Sequence, residues 1–230
     1  MIRLFVSDNL QLNTPIFLSE SHIHYLRNVM RRQTGDDVLL FNGKDGEWQA
    51  TLQTLDKKKG LCCPHTQTRQ QEITPKRYLC PALIKKENMD WVLQKATELG
   101  VSDIFPILSE RTVVSKLNLE RAQALVTEAS EQCERLTVPT VHTPQKIKDV
   151  LDHFTPDITP ICLSERGATT TPLSAGKTYA FFIGPEGGWT PNELDLFARE
   201  NVSFWHLGNT ILRAETASVA ALSCACFCLD

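Results

Sequence analysis

No apolar run in this chain approaches the roughly 18 residues that a membrane span needs. The opening Met1-Ile2-Arg3-Leu4-Phe5-Val6-Ser7-Asp8 turns polar too soon for a signal peptide, so a cytoplasmic protein is expected. Eight cysteines contain no Cys-x-x-Cys pair. In a chain of this size without a secretion signal they argue for neither a disulfide framework nor a zinc site. Cys224, Cys226 and Cys228 lie two apart in an apolar, helical-looking stretch, where small buried hydrophobes are the better reading. Rossmann and Walker glycine patterns are absent, which removes support for the usual dinucleotide and triphosphate sites. No Ser-His-Asp or Cys-His set stands out, so covalent catalysis has no basis in the sequence. The net charge of −3 does not advertise a nucleic-acid binder.

What is present divides into two parts. Residues 1–72 look β-rich: a strand over 2–6, then strands over 37–41 and 47–52 around a turn with Asn42-Gly43 and Asp45-Gly46, which is a hairpin signal. A short helix is expected over 22–32, and the polar stretch 67–75 reads as a linker. A small β-barrel fits this half. From residue 73 to 230 strands and helices alternate, which means a mostly parallel sheet covered by helices. Strands are expected over 78–84, 101–108, 160–163, 179–183 and 202–207. Helices are expected from Asn88 to Leu99 with Gly100 as stop, from Asn118 onward, after the capping box Thr190-Pro191-Asn192-Glu193, and over 215–228.

Charge is uneven on a local scale. Residues 21–35 hold His22, His24, Arg27, Arg31 and Arg32 and no acid. On a helix Arg27 and Arg31 share a face. The segment is either a solvated helix face or a phosphate-contacting patch in which His24, Arg27, Arg31 and Arg32 bind RNA.

The most informative segments are Ile183-Gly184-Pro185-Glu186-Gly187-Gly188-Trp189 and Leu207-Gly208-Asn209-Thr210-Ile211-Leu212-Arg213-Ala214-Glu215-Thr216-Ala217. Each follows a short apolar run and leads into a helical pattern. Glycine there exposes bare backbone at the C-terminal end of a strand, where open α/β sheets bind ligands. Either loop alone is equally well an ordinary βα turn; together they point to a cleft for a nucleotide-like ligand.

These loops also carry a family resemblance. With His24-Tyr25-Leu26-Arg27, Met89-Asp90-Trp91, Gln94-Lys95-Ala96-Thr97-Glu98-Leu99-Gly100-Val101, Ser109-Glu110-Arg111 and Glu128-Ala129 through Glu131-Gln132, they keep the order found in the small-subunit (16S) ribosomal RNA uridine-N3 methyltransferases of the SPOUT (trefoil-knot) superfamily. The chain resembles that family over nearly its whole length. It departs at Asn209-Thr210, where Pro-Arg is usual, and at Cys133-Glu134, where a small pair is usual. The resemblance implies an α/β fold: a C-terminal knotted, mostly parallel sheet with helices on both faces and a small N-terminal PUA-like RNA-binding β-barrel. It also implies S-adenosyl-L-methionine as cofactor, small-subunit ribosomal RNA as substrate, in an assembled subunit, and a homodimer, with no metal and no membrane.

The cofactor would be held by Leu163, Ser164 and Glu165 in a third loop, by Gly184, Pro185, Gly187 and Gly188, and by Leu207, Gly208, Ile211, Leu212, Thr216 and Ala217. Uridine N3–H is a weak acid, so a cationic or hydrogen-bonding surround should stabilise its anion during in-line methyl transfer. Arg213 is the first candidate for that role; the alternative is an ion pair with Glu215 or with an acid elsewhere. Glu186 either takes the proton or holds a loop amide. Glu131 and Arg135, with Glu128 and Gln132, are expected on one helix face that is either solvated or turned to the substrate or the other subunit's pocket. Rival readings are a knotted methyltransferase acting on a ribose 2′-hydroxyl, and a non-catalytic RNA-binding or ribosome-assembly factor.

Overall fold

A computed structural model describes residues 1–164 and 173–229. It contains two compact units: Met1–Ile73 with Ser130–Val138, and Thr74–Ala129 with Pro139–Asp230.

The first unit is a curled five-stranded sheet of β1 (Arg3–Phe5), β2 (Ile16–Phe17), β3 (Asp37–Phe41), β4 (Glu47–Leu55) and β5 (Gly60–Arg69), in the order β1-β3-β4-β5-β2. The hairpin expected around residues 42–46 joins β3 to β4, with Leu39 opposite Gln49. Asn42 builds its turn: its Oδ1 accepts from the amides of Lys44 and Asp45, and its Nδ2 donates to Asp45 Oδ2. Val38, Leu40, Ala50, Leu52 and Cys62 alternate inward and bury the core. The stretch read as linker begins later, because β5 continues to Arg69. Gln67–Arg69 are the polar end of a strand, paired with Trp48 and Glu47 and tied by Thr68 Oγ1 to the Glu47 carboxylate at 2.8 Å.

The expected helix over 22–32 is also corrected. Ser19 caps α1 (Glu20–His24), which passes directly into a π-helical turn over Tyr25–Val29. Arg31 then adopts a left-handed φ of 53° and ends the helical path. Arg27 and Arg31 therefore do not share a helix face.

The second unit has a parallel six-stranded sheet of β6 (Tyr78–Pro81), β7 (Asp103–Ile104), β8 (Thr140–Val141), β9 (Ile158–Leu163), β10 (Thr178–Ile183) and β11 (Ser203–Trp205). The order is β11-β9-β10-β6-β7-β8, so β10 lies between β9 and β6, the first strand of this sheet in the sequence. Near-continuous apolar runs such as Tyr179-Ala180-Phe181-Phe182-Ile183 mark strands covered on both faces. Tyr78, Cys80, Cys162, Ala180 and Phe182 pack with Ile147 and Val150 of α4 (Ile147–Leu151) and Phe197 of α5 (Pro191–Arg199). The alternate residues Leu79, Phe181 and Ile183 face the other way and are equally buried. α6 (Ala214–Leu229) packs over β6 and β10 and against α2 (Lys86–Glu98). No helix among the described residues is long and apolar enough to cross a membrane.

Helix ends follow the expected chemistry with one shift. Thr190 and Glu193 form the capping box of α5, and Gly100, at φ 75°, stops α2. α2 starts at Lys86, ahead of Asn88, since the Met89 amide already donates to the Lys85 carbonyl. Asn118 Oδ1 caps the start of α3 (Leu119–Gln132) by accepting from the Arg121 amide.

Candidate methyl-donor and RNA sites

Parallel register brings the three ligand loops to one edge. Leu163 at the end of β9 lies opposite Trp205 at the end of β11, and Cys162 opposite Phe182 of β10. The loops after all three strands therefore start side by side at the C-terminal edge of the sheet, where open parallel sheets bind ligands. Two hydrogen bonds join them. Trp189 Nε1 donates to the Leu163 carbonyl at 2.9 Å, and the Ser164 amide donates to the Trp205 carbonyl at 2.9 Å. Glu165, assigned to this wall from the sequence, lies outside the described residues.

In the loop after β10, the Gly188 amide donates to the Pro185 carbonyl at 2.8 Å and closes a tight turn, with Gly188 at φ 67°. A Cβ on Gly184 would stand 3.2 Å from the Trp189 ring, a tight contact that would push the indole back by a few tenths of an ångström. Among the described residues the amides of Glu186 and Gly187 donate to nothing. Glu186 itself is exposed at the tip of the turn and, among the described residues, its side chain holds no loop amide, which corrects the structural role allowed for it. In the loop after β11, Gly208 has φ 120°, Leu207 and Leu212 are half-buried, and Ile211 is 71% exposed. Free backbone donors beside exposed apolar side chains suit a flat nucleoside with hydrogen-bonding edges, and the site fits S-adenosyl-L-methionine on that ground.

Arg213 is exposed at the end of this loop, immediately before α6, and among the described residues its side chain makes no ion pair. The alternative pairing with Glu215 is not formed: Glu215 Oε2 is buried with no hydrogen-bond partner among the described residues. Thr216 and Ala217 lie in the first turn of α6, where the Ala217 amide donates to the Arg213 carbonyl.

The polar set around Glu131 is the clearest correction. α3 ends at Gln132 and Glu134 turns left-handed at φ 62°, so Arg135 lies beyond the helix and off its face. Arg3 sits against this helix end. Its guanidinium donates to the carbonyls of Ser130 and Glu131 at 3.2 Å and of Arg135 at 3.3 Å, satisfying groups that a helix end leaves open. Glu131 Oε1 accepts from the Phe5 amide at 2.9 Å, and Arg135 Nη2 donates to Thr137 Oγ1 at 2.9 Å. Glu128 and Gln132 stay solvent-exposed. Lys95 and Glu98 of α2 pair with each other at 2.8 Å.

In the first unit, Arg27, Arg31 and Arg32 do converge, though not by helix periodicity. With Asn28, Gln33, Thr34 and Leu55 they line an open recess of about 360 Å³. Arg32 is 3.8 Å from Asp36, and its Nε is buried without a partner among the described residues. His24 is exposed on α1 and does not line the recess. Burial holds the His22 imidazole below its ordinary pKa, which favours the neutral form.

Arg111 was missed as a site residue. Its Nη1 donates to the Gly187 carbonyl at 2.7 Å and to the Trp189 carbonyl at 3.4 Å. Its place in Ser109-Glu110-Arg111 was the only signal, and nothing in the local pattern ties it to a loop 76 residues away.

Comparison with known proteins agrees with this picture. Residues 71–225 match an RNA methyltransferase domain, and residues 18–62 match an RNA methyltransferase PUA domain. The ribosomal RNA small subunit methyltransferase E of Synechocystis is 33% identical, covering 96% of this chain and 76% of that protein. Its namesake from Rickettsia conorii is 30% identical, covering 96% and 93%. The crystal structure of the Neisseria gonorrhoeae enzyme of that name, bound to S-adenosyl methionine, superposes with a TM-score of 0.92 at 31% identity, covering 100% of this chain and 98% of that one. With a SPOUT-type parallel sheet and a curled PUA-type sheet before it, the chain belongs to the RNA methyltransferase family that includes the small-subunit methyltransferase E proteins.

Proposed function

We propose that this protein methylates N3 of a uridine in small-subunit ribosomal RNA, using S-adenosyl-L-methionine. The observation that carries the reading is the joined set of three loops at the C-terminal sheet edge, with free amides at Glu186 and Gly187. The bound cofactor supplies an electrophilic methyl group on a sulfonium. Leu163, Ser164, Gly184, Pro185, Gly187, Gly188, Leu207, Gly208, Ile211, Leu212, Thr216 and Ala217 would surround it, mostly through backbone.

Arg213, exposed beside that loop and free of an ion pair among the described residues, is our candidate to stabilise negative charge on the uracil as N3 loses its proton. Glu186, at the exposed tip, is available as a proton acceptor. We assign Glu131 and Arg135 to holding the first unit together, because hydrogen bonds engage both side chains.

Residues 1–72 would form the RNA-binding domain and 73–230 the methyltransferase domain. Arg27, Arg31 and Arg32 would hold phosphate in the recess, with His24 beside it on α1. The protein would act in the cytoplasm, on an assembled subunit, as a homodimer. Two exposed aromatic side chains on the packed pair α2 and α6, Trp91 at 41% and Phe227 at 88%, support a subunit interface there.

Calorimetric titration with S-adenosyl-L-methionine, followed by mapping of methylated nucleotides in subunits treated with the protein, tests this reading. Heat on titration with a new N3-methyluridine is expected. A 2′-O-methyl product would reassign the target atom, and no heat would leave an RNA-binding factor.

A further inference from the structure

The loop over residues 109–112 is rigid on its own account. The Ser109 amide donates to Thr112 Oγ1 at 3.1 Å, the two hydroxyls lie 2.7 Å apart, and the Thr112 amide returns to the Ser109 carbonyl. Just before it, the Leu108 amide is anchored on the Gln145 carbonyl at 2.8 Å. This rigid loop meets the glycine loop after β10 at two points. Glu193, only 5% exposed, accepts from the Glu110 amide with Oε1 and from the Thr190 amide with Oε2, both at 2.8 Å. Arg111 reaches across Gly187 to the carbonyls of Gly187 and Trp189. Its aliphatic stem lies so close that a Cβ on Gly187 would stand 3.3 Å from Arg111 Cβ and Cδ.

The consequence is best seen peptide by peptide. In the peptide joining Gly187 to Gly188, the carbonyl is held by Arg111 and the N–H by the Pro185 carbonyl. In the peptide joining Trp189 to Thr190, the carbonyl is held by Arg111 and the N–H by Glu193. Both planes are fixed at both ends. A glycine pair would otherwise rotate freely, since neither residue has a Cβ to restrict φ and ψ. Of the N–H groups left over, those of Glu186 and Gly187 lie in the two peptides before the first pinned plane, so its orientation restricts theirs.

We infer that Arg111 is a positioning residue for the methyl-donor site: its guanidinium clasps the glycine loop in the one shape that presents those free amides to the cofactor. This rests on the cofactor reading above. Without the clasp the loop populates other peptide orientations, and the apparent affinity falls by the fraction of molecules still in the competent shape. Once cofactor saturates the site that fraction is restored, so the effect belongs to KM for the cofactor more than to kcat.

Arg111→Ala, Arg111→Lys and Glu193→Gln, made in the full chain, test the inference by calorimetry with S-adenosyl-L-methionine and by methylation of small subunits at varied cofactor concentration. Arg111→Ala should weaken cofactor binding at least tenfold, with kcat at saturation within about threefold and the melting temperature of the ligand-free protein little changed. Arg111→Lys should regain part of the affinity, because both bonds come from the one nitrogen Nη1 and an ammonium can donate in the same way, but from a flexible stem without the guanidinium plane. Glu193→Gln, which keeps one accepting oxygen, should weaken binding less than Arg111→Ala. Wild-type affinity in Arg111→Ala overturns the inference. So does a loss of affinity that tracks a fall in melting temperature and is not recovered by lysine, since that pattern is simple destabilisation. A wild-type protein that gives no heat at all overturns the cofactor reading instead, and the two failures are thereby told apart.

Discussion

Single residues settle more in this molecule than the hydrophobic pattern does. A Cβ at Gly46 would collide with the Arg69 carbonyl, and the residue sits at φ 76°. Gly46→Ala should therefore cost more than about 2 kcal/mol in denaturant unfolding, from strain and steric conflict together. Asp45, in the same turn, accepts from Asn42 Nδ2 at 2.6 Å and from the Leu10 amide at 2.9 Å. These bonds, the Asn42 one first, hold its carboxyl below the usual carboxylate range. A depressed folded pKa means stability that is fully present above the unfolded value, about 4, and lost as pH falls through the folded one. Asp45→Asn should thus be less stable than wild type at pH 7, and the gap should close in melts taken as pH falls below about 4. At Arg213 the expected effect is on rate: Arg213→Ala should slow single-turnover methylation about 100-fold, the scale of losing one preorganised donor, and Arg213→Lys should recover part. Near-wild-type turnover would leave Arg213 a surface residue. The two glycine loops could be located in the sequence because a βα loop with bare backbone has a local signature. Arg111 could not, because its partners are remote in sequence and are main-chain carbonyls that no side-chain pattern encodes.

At the scale of elements, periodicity and punctuation located most strands and helices. The hairpin at Asn42-Gly43, the capping box at Thr190 and the stop at Gly100 each have a local cause. The errors also have local causes. Pro106 lacks an N–H, and β7 shrinks to Asp103–Ile104 within the longer strand expected. Polar residues at the end of β5 read as linker because their partner strand is invisible to composition. A π-helical turn has no distinctive pattern, so the arginines over residues 27–32 were brought together in expectation by the wrong geometry. Their proposed role is still testable. Arg27→Ala with Arg31→Ala should weaken RNA binding and flatten its dependence on salt, because fewer counterions are released. Cofactor affinity should stay within about threefold. An unchanged salt slope would move the footprint elsewhere, with the Lys57-Lys58-Lys59 turn the next candidate.

At the scale of the whole molecule, alternation of β and α gave the parallel sheet, but not the placement of β10 between β9 and β6. Strand order depends on which crossover closes over which, and side-chain patterns carry no record of that. Nor could a single cut near residue 73 show that Ser130–Val138 belongs to the first unit. Buried polar groups explain why it does. Arg3 pairs with Glu47 at 2.7 Å, their side chains 3% and 6% exposed, and spends its other donors on the carbonyls of Ser130, Glu131 and Arg135. Arg69 Nη1 donates to the Glu134 carbonyl at 2.7 Å, and the Phe5 amide depends on Glu131. A fragment of residues 1–73 lacks all of those acceptors. The Arg3 guanidinium would keep its one carboxylate and leave its remaining donors buried or force them into water, and breaking into such a buried network costs several kcal/mol. A small unit has little stability to lose on that scale. The 1–73 fragment alone should show no cooperative thermal transition by circular dichroism. A peptide of residues 119–138 added in trans should restore one at concentrations where it binds, whereas the same peptide added to an Arg3→Met fragment should not. A cooperative melt of the lone 1–73 fragment close to that of the intact chain would show that the returning segment is an ornament on an already complete sheet.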